Sequence, residues 1–157
     1  MPAKTLHKIY LILLLVGSIF NLFAQSDSEQ RLGFEYYQNG EYEKAVDVFE
    51  SLYKKEPSST IFYNYLYNAH IKLKDFSEAE KLVKKTIKKF PERQKLYVDL
   101  GMVYVQDGNL DKGKKTFEES IKNLPSDNKQ IVDLAEAFAY YNKWERVIET
   151  YLQGRKI

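Results

Sequence analysis

Apolar residues recur along this chain at spacings of three and four, which is the period of one face of an α-helix. Leu32 and Tyr36 set this spacing first, and Val46, Phe49 and Tyr53 set it again shortly afterwards. Polar breaks interrupt the pattern at short intervals, so the sequence predicts a series of short amphipathic helices. The predicted helices cover residues 28–39, 42–55, 60–73, 76–89, 94–107, 110–123, 128–141 and 144–153.

The helical pattern repeats with a period of 34 residues, which is the distance between Pro57, Pro91 and Pro125. Each proline follows the second helix of a unit, where it ends that helix without disturbing the next one. The apolar positions keep the same phase in every unit. Four of these columns are Leu32, Leu66, Leu100 and Leu134; Tyr36, His70, Tyr104 and Phe138; Ala45, Ala79, Gly113 and Val147; and Phe49, Val83, Phe117 and Tyr151.

Small residues and turn residues also recur at fixed places in the unit. Breaks at Gly40, at the pair Lys74 and Asp75, at Gly108 and at Asn142 mark the middle of each unit, where a tight turn is expected to join two antiparallel helices. Small residues at other positions are expected to let neighbouring helices approach closely, with large aromatic residues filling the gaps beside them. The small residues are Gly33, Ala45, Ala79 and Gly101, and the large ones are Tyr36, Phe49, Tyr104 and Phe117.

The 34-residue unit with these columns resembles the tetratricopeptide repeat (TPR) family over residues 26–157. The resemblance implies an all-α fold, a right-handed superhelix of stacked antiparallel helix pairs with a concave inner face. The implied repeats are 26–59, 60–93, 94–127 and 128–157, and the last is incomplete and lacks the polar helix that usually caps such an array. Either the sequence is the front of a longer array, or a partner or a second copy covers Val147 and Tyr151.

The N-terminus reads as an export signal. A basic start at Lys4 and Lys8 precedes an uncharged stretch over 9–23 and the small residue Ala24, which predicts a signal peptide at 1–24. An uncleaved membrane anchor is the alternative, although the apolar run is shorter than the roughly 20 residues of a membrane span. The signal is similar to those of exported TPR arrays of Gram-negative bacteria, which implies the periplasm, the cell envelope or the extracellular space.

Charge argues against a protein built to hold nucleic acid. The formal charge of +2 comes from Lys4 and Lys8, and the rest of the chain carries 22 basic and 22 acidic residues. A lysine run on the fourth predicted helix is the one local exception. It contains Lys81, Lys84, Lys85, Lys88 and Lys89, and the family geometry implies that it faces the convex side. It is either a solvated face or a site for a polyanion or acidic lipid headgroups.

Little in the sequence points to catalysis. The chain has no cysteine, and His70 is the only histidine after the predicted signal, in a column that otherwise holds Tyr and Phe. We therefore expect His70 to be a packed helix residue. The segment 107–111 resembles a calcium loop, but Lys112 occupies the position that needs glycine, so a simple turn is expected. We expect no catalytic residue, no metal site and no cofactor.

The resemblance implies a partner-binding groove along the first helix of each unit. Its implied contact residues are Phe34, Tyr37, Asn64, Tyr65, Asn68, Lys95, Asp99, Met102 and Tyr140. One TPR subfamily clamps C-terminal carboxylates with basic and amide residues, but only Lys95 fits that pattern here, and Asp99 would repel a carboxylate. Aromatic rings and side-chain amides instead suit a protein or an extended peptide.

Three functions follow from these features. The leading hypothesis is an exported scaffold that holds a protein or peptide in the groove. The second is an assembly module that forms a homo-oligomer through its C-terminal repeat. The third is an enzyme or carbohydrate-binding accessory domain, as part of a larger envelope protein, that uses the aromatic groove for sugar stacking. Concentration-dependent mass separates the second from the first, and glycan binding supports the third.

Overall fold

The computed structural model describes residues 27–156, and all regular secondary structure in that range is helical. The helices are α1 (residues 27–38), α2 (Tyr42–Lys55), α3 (Thr60–Lys72), α4 (Phe76–Lys89), α5 (Lys95–Gln106), α6 (Leu110–Lys122), α7 (Asn128–Tyr140) and α8 (Trp144–Gly154). Each predicted helix is present, and the bounds from the end of α1 onward lie within one residue of those expected. The prediction of an all-α helical-repeat fold is confirmed, whereas the predicted signal peptide at 1–24 lies outside the described residues.

The chain divides into two compact units, 1–69 and 70–157, with the boundary inside α3. The described part of unit 1 contains α1, α2 and most of α3. Its interior is built on Phe49, which is fully buried together with Ala45 from the same helix. Phe62 from α3 contributes a second buried ring, with its centroid 6.4 Å from that of Phe49.

Unit 2 contains α4 to α8, and its core lies between α5, α6 and α7. Phe117 from α6 meets Phe138 from α7 edge to face, with ring centroids 5.4 Å apart. The buried members of this core are Val98, Phe117, Ile121, Leu124, Ile131, Leu134, Ala137 and Phe138. Consecutive helices pack side by side, α5 on α6 and α7 on α8, as expected for a chain of antiparallel helix pairs.

Glycines allow the helices of a pair to approach closely, as the sequence predicted. A Cβ atom on Gly101 of α5 would overlap the ring of Phe117 on α6. A Cβ atom on Gly113 would lie 3.0 Å from the carbonyl oxygen of Gly101, and one on Gly33 would lie 2.9 Å from Val48 Cγ1 in unit 1. Only a residue without a side chain lets these backbones come so near.

The four predicted breaks share one backbone conformation. Gly40, Lys74, Gly108 and Asn142 have φ values of 78°, 58°, 84° and 56°, in the left-handed region that reverses the chain between two helices. The following residue caps the next helix in two of the turns. Asp75 accepts a hydrogen bond from Glu78 N–H and Asn109 accepts one from Lys112 N–H. None of the helices between residues 27 and 156 is long and apolar enough to cross a membrane.

Candidate functional site

The predicted groove residues fall into two groups, one in each unit, and each group has its own local structure. In unit 1, Phe34 and Tyr37 of α1 meet Tyr65 of α3. The centroid of the Tyr65 ring lies 4.7 Å from that of Phe34 and 5.0 Å from that of Tyr37. The buried Phe49 ring stacks beneath Tyr65 at 4.9 Å. The structure therefore brings three predicted site residues into one half-buried aromatic cluster that rests on the core.

Two predicted amide residues lie beside this cluster. On α3, Tyr65 follows Asn64 directly and Asn68 follows Asn64 by four residues, which is about one helical turn. All three side chains are half-buried and belong to one face of the helix. Within the described residues neither asparagine side chain makes a hydrogen bond. Each amide therefore has both its donors and its acceptor available to a ligand.

Ile61 extends the same face by one turn and was not among the predicted site residues. Its side chain is 52% exposed, so it adds accessible apolar area to this face. The signal for it was present in the sequence, since Ile61 stands four residues before Tyr65. We refer to Phe34, Tyr37, Ile61, Asn64, Tyr65 and Asn68 together as the aromatic–amide surface.

The predicted residues of unit 2 form a polar cluster. The Lys95 Nζ donates to both oxygens of Asp99 at 2.8 Å, and the Tyr141 hydroxyl donates to Asp99 Oδ1 at 2.6 Å. Asp99 has 0% exposure. The expectation that Asp99 faces a partner was therefore wrong, because its carboxylate is an internal acceptor that ties α5 to the end of α7. Sequence patterns could not single out Tyr141, because they do not show which of two adjacent tyrosines turns inward.

The other three predicted residues of unit 2 keep some exposure. The Lys95 ammonium lies 5.5 Å from the ring centroid of Tyr140 and 5.8 Å from that of Tyr141. Tyr140 is 64% exposed, whereas Met102 is half-buried and packs against the core of the unit. Lys95 and Tyr140 are thus the accessible part of this group. Whether the predicted residues other than Asp99 contact a partner stays a prediction.

His70 is packed, as the sequence predicted. Its side chain is largely buried, its Nδ1 has no hydrogen-bond partner in the described part of the chain, and Nδ1 lies 3.6 Å from Asp75 Oδ2. Residues 27–156 contain no group of three histidine, cysteine or carboxylate side chains placed to hold a metal ion.

Part of the lysine run on α4 is neutralised locally. Lys81 pairs with Glu78, and the Lys84 Nζ lies 2.6 Å from Glu80 Oε1. The hydrogen bond from Lys84 holds the pKa of the Glu80 carboxyl below its ordinary value, and the Tyr104 hydroxyl also donates to it. Glu80 is therefore charged at neutral pH. The run is a mixed surface rather than a uniform basic stripe.

Paired antiparallel helices repeating every 34 residues define a helical-repeat protein. Models of the tetratricopeptide repeat match residues 36–94 and 94–126, which together are more than half of the chain. This protein belongs to the tetratricopeptide repeat family.

Solved structures with the same fold include two bacterial proteins. PcrH from Pseudomonas aeruginosa is 16% identical, with a TM-score of 0.57 over 81% of this chain and 92% of that one. PcrH in complex with the chaperone binding region of PopB is 17% identical, with a TM-score of 0.56 over 73% and 93%. MamA from Desulfovibrio magneticus RS-1 is 19% identical, with a TM-score of 0.50 over 83% and 74%. A comparison with curated protein sequences gives no match.

Proposed function

We propose that this protein is an interaction scaffold that holds an extended segment of a partner protein on its aromatic–amide surface, and we assign it no catalytic step. The observation that carries the proposal is the open pair Asn64 and Asn68 beside the supported ring of Tyr65. Aromatic rings and hydrogen-bonding amides in one place are the mixture that protein recognition surfaces favour.

The geometry suits an extended backbone. Asn64 and Asn68 are four residues apart on a helix, which separates them by about 6 Å along the axis. An extended chain presents peptide groups of the same orientation every two residues, or about 6.6 Å. Two asparagine amides can therefore bond to successive peptide groups of one bound strand, since each amide both donates and accepts.

The aromatic residues supply the apolar part of the interaction. Tyr65 is held between the rings of Phe34, Tyr37 and Phe49, so little side-chain freedom is lost when a ligand covers it. Ile61 adds exposed apolar area on the same helix. The PcrH structures with the chaperone binding regions of PopD and PopB are consistent with a peptide ligand on this fold.

The test is to recover a partner from envelope extract with the tagged protein and to titrate it against two variants. Tyr65→Ala and Asn68→Ala should each weaken binding by about 2 kcal/mol, which is roughly 30-fold. The control is Lys85→Ala/Lys89→Ala on α4 of unit 2, which removes two exposed lysines that line neither the aromatic–amide surface nor a pocket, and it should keep the affinity and change only its salt dependence. A partner that is lost with the lysine variant and retained with the other two contradicts the proposal.

We also propose that the protein is exported to the periplasm or cell envelope of a Gram-negative bacterium. The support is the basic start at Lys4 and Lys8, the uncharged stretch over 9–23 and the small residue Ala24, all outside the described residues.

One observation favours a second function, self-assembly through α8. Trp144, Ile148, Tyr151 and Leu152 are 46% to 61% exposed, and their spacing places them in one stripe along the helix. A second copy in antiparallel orientation would cover this stripe, place Glu145 close to Arg155 of the other copy and oppose the two helix dipoles favourably. An envelope scaffold could then present two peptide-binding surfaces at once.

A further inference from the structure

Helices α4, α5 and α6 of unit 2 enclose an open trough of about 740 Å³. Its floor is one face of α5, formed by Tyr97, Leu100 and Tyr104 at helical spacing. We refer to it as the α5 trough. It lies within unit 2 and shares no residue with the aromatic–amide surface.

The two walls of the α5 trough are basic. Lys84 and Lys88 line it from α4, and Lys112 and Lys115 line it from α6. All four are exposed, although the Lys112 ammonium also lies 3.8 Å from the ring centroid of Tyr104.

Two carboxylates offset only part of this charge. Glu80 is already engaged at the Tyr104 end of the trough, where it accepts from Tyr104 Oη at 2.7 Å and lies 2.6 Å from Lys84 Nζ. Glu119 lies 3.9 Å from Lys115. Lys88 has no ion pair among residues 27–156. On the two walls, four ammonium groups stand against two carboxylates, since Glu80 is shared by Lys84 and Lys112, and this leaves a surplus of two positive charges there.

The other end of the trough is polar, and the Glu92 carboxylate lies near the Tyr97 hydroxyl there. Gln94 is buried there and donates from Nε2 to Gln130 Oε1 at 2.7 Å. The Tyr97 hydroxyl donates to the carbonyl oxygen of Pro91 at 3.0 Å, and burial raises the pKa of this phenol, so it stays a neutral donor. Asn123 adds a further exposed amide to the lining.

We propose that the α5 trough is a second docking site, which takes an acidic, extended segment of a partner protein. The floor of the trough is about 15 Å long from Gln94 to Tyr104, because each residue of a helix adds about 1.5 Å along its axis. This length accommodates four or five extended residues at about 3.3 Å each. Two acidic side chains in such a segment would match the surplus charge, and apolar ones between them would cover Leu100 and Tyr97.

The same features favour a peptide over other anionic ligands. A protein that binds nucleic acid through its backbone needs a broad excess of positive charge, whereas residues beyond the first 24 carry equal numbers of acids and bases. A lipid bilayer presents its headgroups on a flat surface, and a floor recessed between two helices does not reach them. The amides of Gln94 and Asn123 suit a peptide backbone.

The experiment measures the binding of a fluorescently labelled, end-capped peptide of alternating glutamate and leucine by anisotropy at low ionic strength. The variant Lys88→Glu/Lys115→Glu should weaken binding about tenfold. The matched control, Lys85→Glu/Lys122→Glu, makes the same charge change on the same two helices at exposed positions outside the trough, and it should stay within about twofold of wild type. Thermal unfolding by circular dichroism shows that both variants are folded.

Specificity and location are tested with the same protein. A peptide with glutamine for glutamate should bind much more weakly, and amide chemical-shift changes on peptide addition should centre on Lys88, Tyr97 and Thr116. Equal weakening by the two charge-reversal pairs, equal binding of the glutamine peptide, or no binding of the acidic peptide would each overturn the proposal. So would tighter, Lys88-dependent binding of an oligothymidylate or of phosphatidylserine vesicles.

This proposal does not depend on the aromatic–amide surface. Tyr65→Ala should leave the affinity for the acidic peptide unchanged, so either site can fail without the other.

Discussion

At the scale of single residues, three residue types adopt the positive φ that each of the four inter-helix turns contains. Gly40 and Gly108 adopt positive φ at no steric cost, whereas Lys74 and Asn142 carry a Cβ atom into the left-handed region. Asparagine tolerates that region better than most residues, but lysine has no such preference. The Lys74 turn therefore stores strain that its equivalents at Gly40 and Gly108 do not.

Relieving this strain should stabilise the protein. Lys74→Gly should raise the free energy of unfolding by about 0.5–1 kcal/mol, the balance between the strain removed and the chain entropy added. The control is Lys72→Gly, two residues earlier in the last turn of α3, which should lower it by up to about 1 kcal/mol. Urea unfolding measures both, and a destabilised Lys74→Gly variant would mean that the turn at this position is not left-handed.

The contact between Gly101 and Phe117 is a second residue-scale feature. Gly101→Ala forces a methyl group into the Phe117 ring and should cost about 1–3 kcal/mol. Phe117→Ala should cost about 3–5 kcal/mol, since this ring is buried in the core of unit 2.

The two positions should be coupled. In a Phe117→Ala background all the ring atoms that meet the new methyl group are absent, so Gly101→Ala should cost at least about 1 kcal/mol less than in wild type. A double-mutant cycle by chemical denaturation checks this. Strict additivity would contradict the close approach of α5 and α6.

At the scale of elements, α5 is the helix on which unit 2 is organised. Leu96, Val98, Val103 and Tyr104 are buried on different sides of it, and Asp99 joins it to the residue that follows α7. A buried carboxylate needs its partners, because water is not available to replace them. Lys95 and Tyr141 fulfil that need.

Removing one of these partners should be costly. Tyr141→Phe deletes a hydrogen bond to a buried charge and should lower the free energy of unfolding by about 1.5–3 kcal/mol. The adjacent Tyr140→Phe is the matched control, since that residue is mostly exposed, and its cost should stay below about 0.5 kcal/mol. Similar losses in thermal unfolding for the two variants would show that the Asp99 carboxylate does not depend on Tyr141.

At the scale of the whole molecule, the proposed self-assembly through α8 makes the oligomeric state depend on concentration. Sedimentation equilibrium should show a rising average mass, and Ile148→Glu should return the protein to a monomer because it places a charge in the apolar stripe. Ile61→Glu is the control, with a similarly exposed isoleucine in unit 1, and should self-associate like wild type. A wild-type protein that stays monomeric at high concentration argues against assembly through α8.

The proposed export predicts the N-terminus of the mature protein. Cleavage after Ala24 should leave Gln25 as the mature N-terminus, as glutamine or cyclised to pyroglutamate. Intact-mass measurement on protein from the envelope fraction distinguishes this from the full-length chain. Recovery of a protein that still begins at Met1 would favour an uncleaved anchor.

The sequence by itself determined the helices, the turns and the family. This information is local and repeated four times: amphipathic spacing predicts each helix, and the polar or glycine break in the middle of each unit predicts each turn. The same repetition predicted that Gly33 and Gly101 would face a large residue, because the columns place small and large side chains opposite each other. The aromatic members of the unit 1 surface, Phe34, Tyr37 and Tyr65, come together as the helical period of α1 and α3 requires.

Only the tertiary structure decided which polar groups are used internally and which remain available. In the 34-residue repeat, Asp99 of α5 is equivalent to Tyr65 of α3, and Asn68 lies on the same face of α3 as Tyr65. The pattern therefore treats Asp99 and Asn68 alike, yet Asp99 is buried against Tyr141 and Asn68 keeps an open amide. The α5 trough likewise depends on lysines from two helices more than twenty residues apart. Periodicity specifies the direction of a side chain from its own helix, but burial and pairing depend on the neighbour that the packed fold places there.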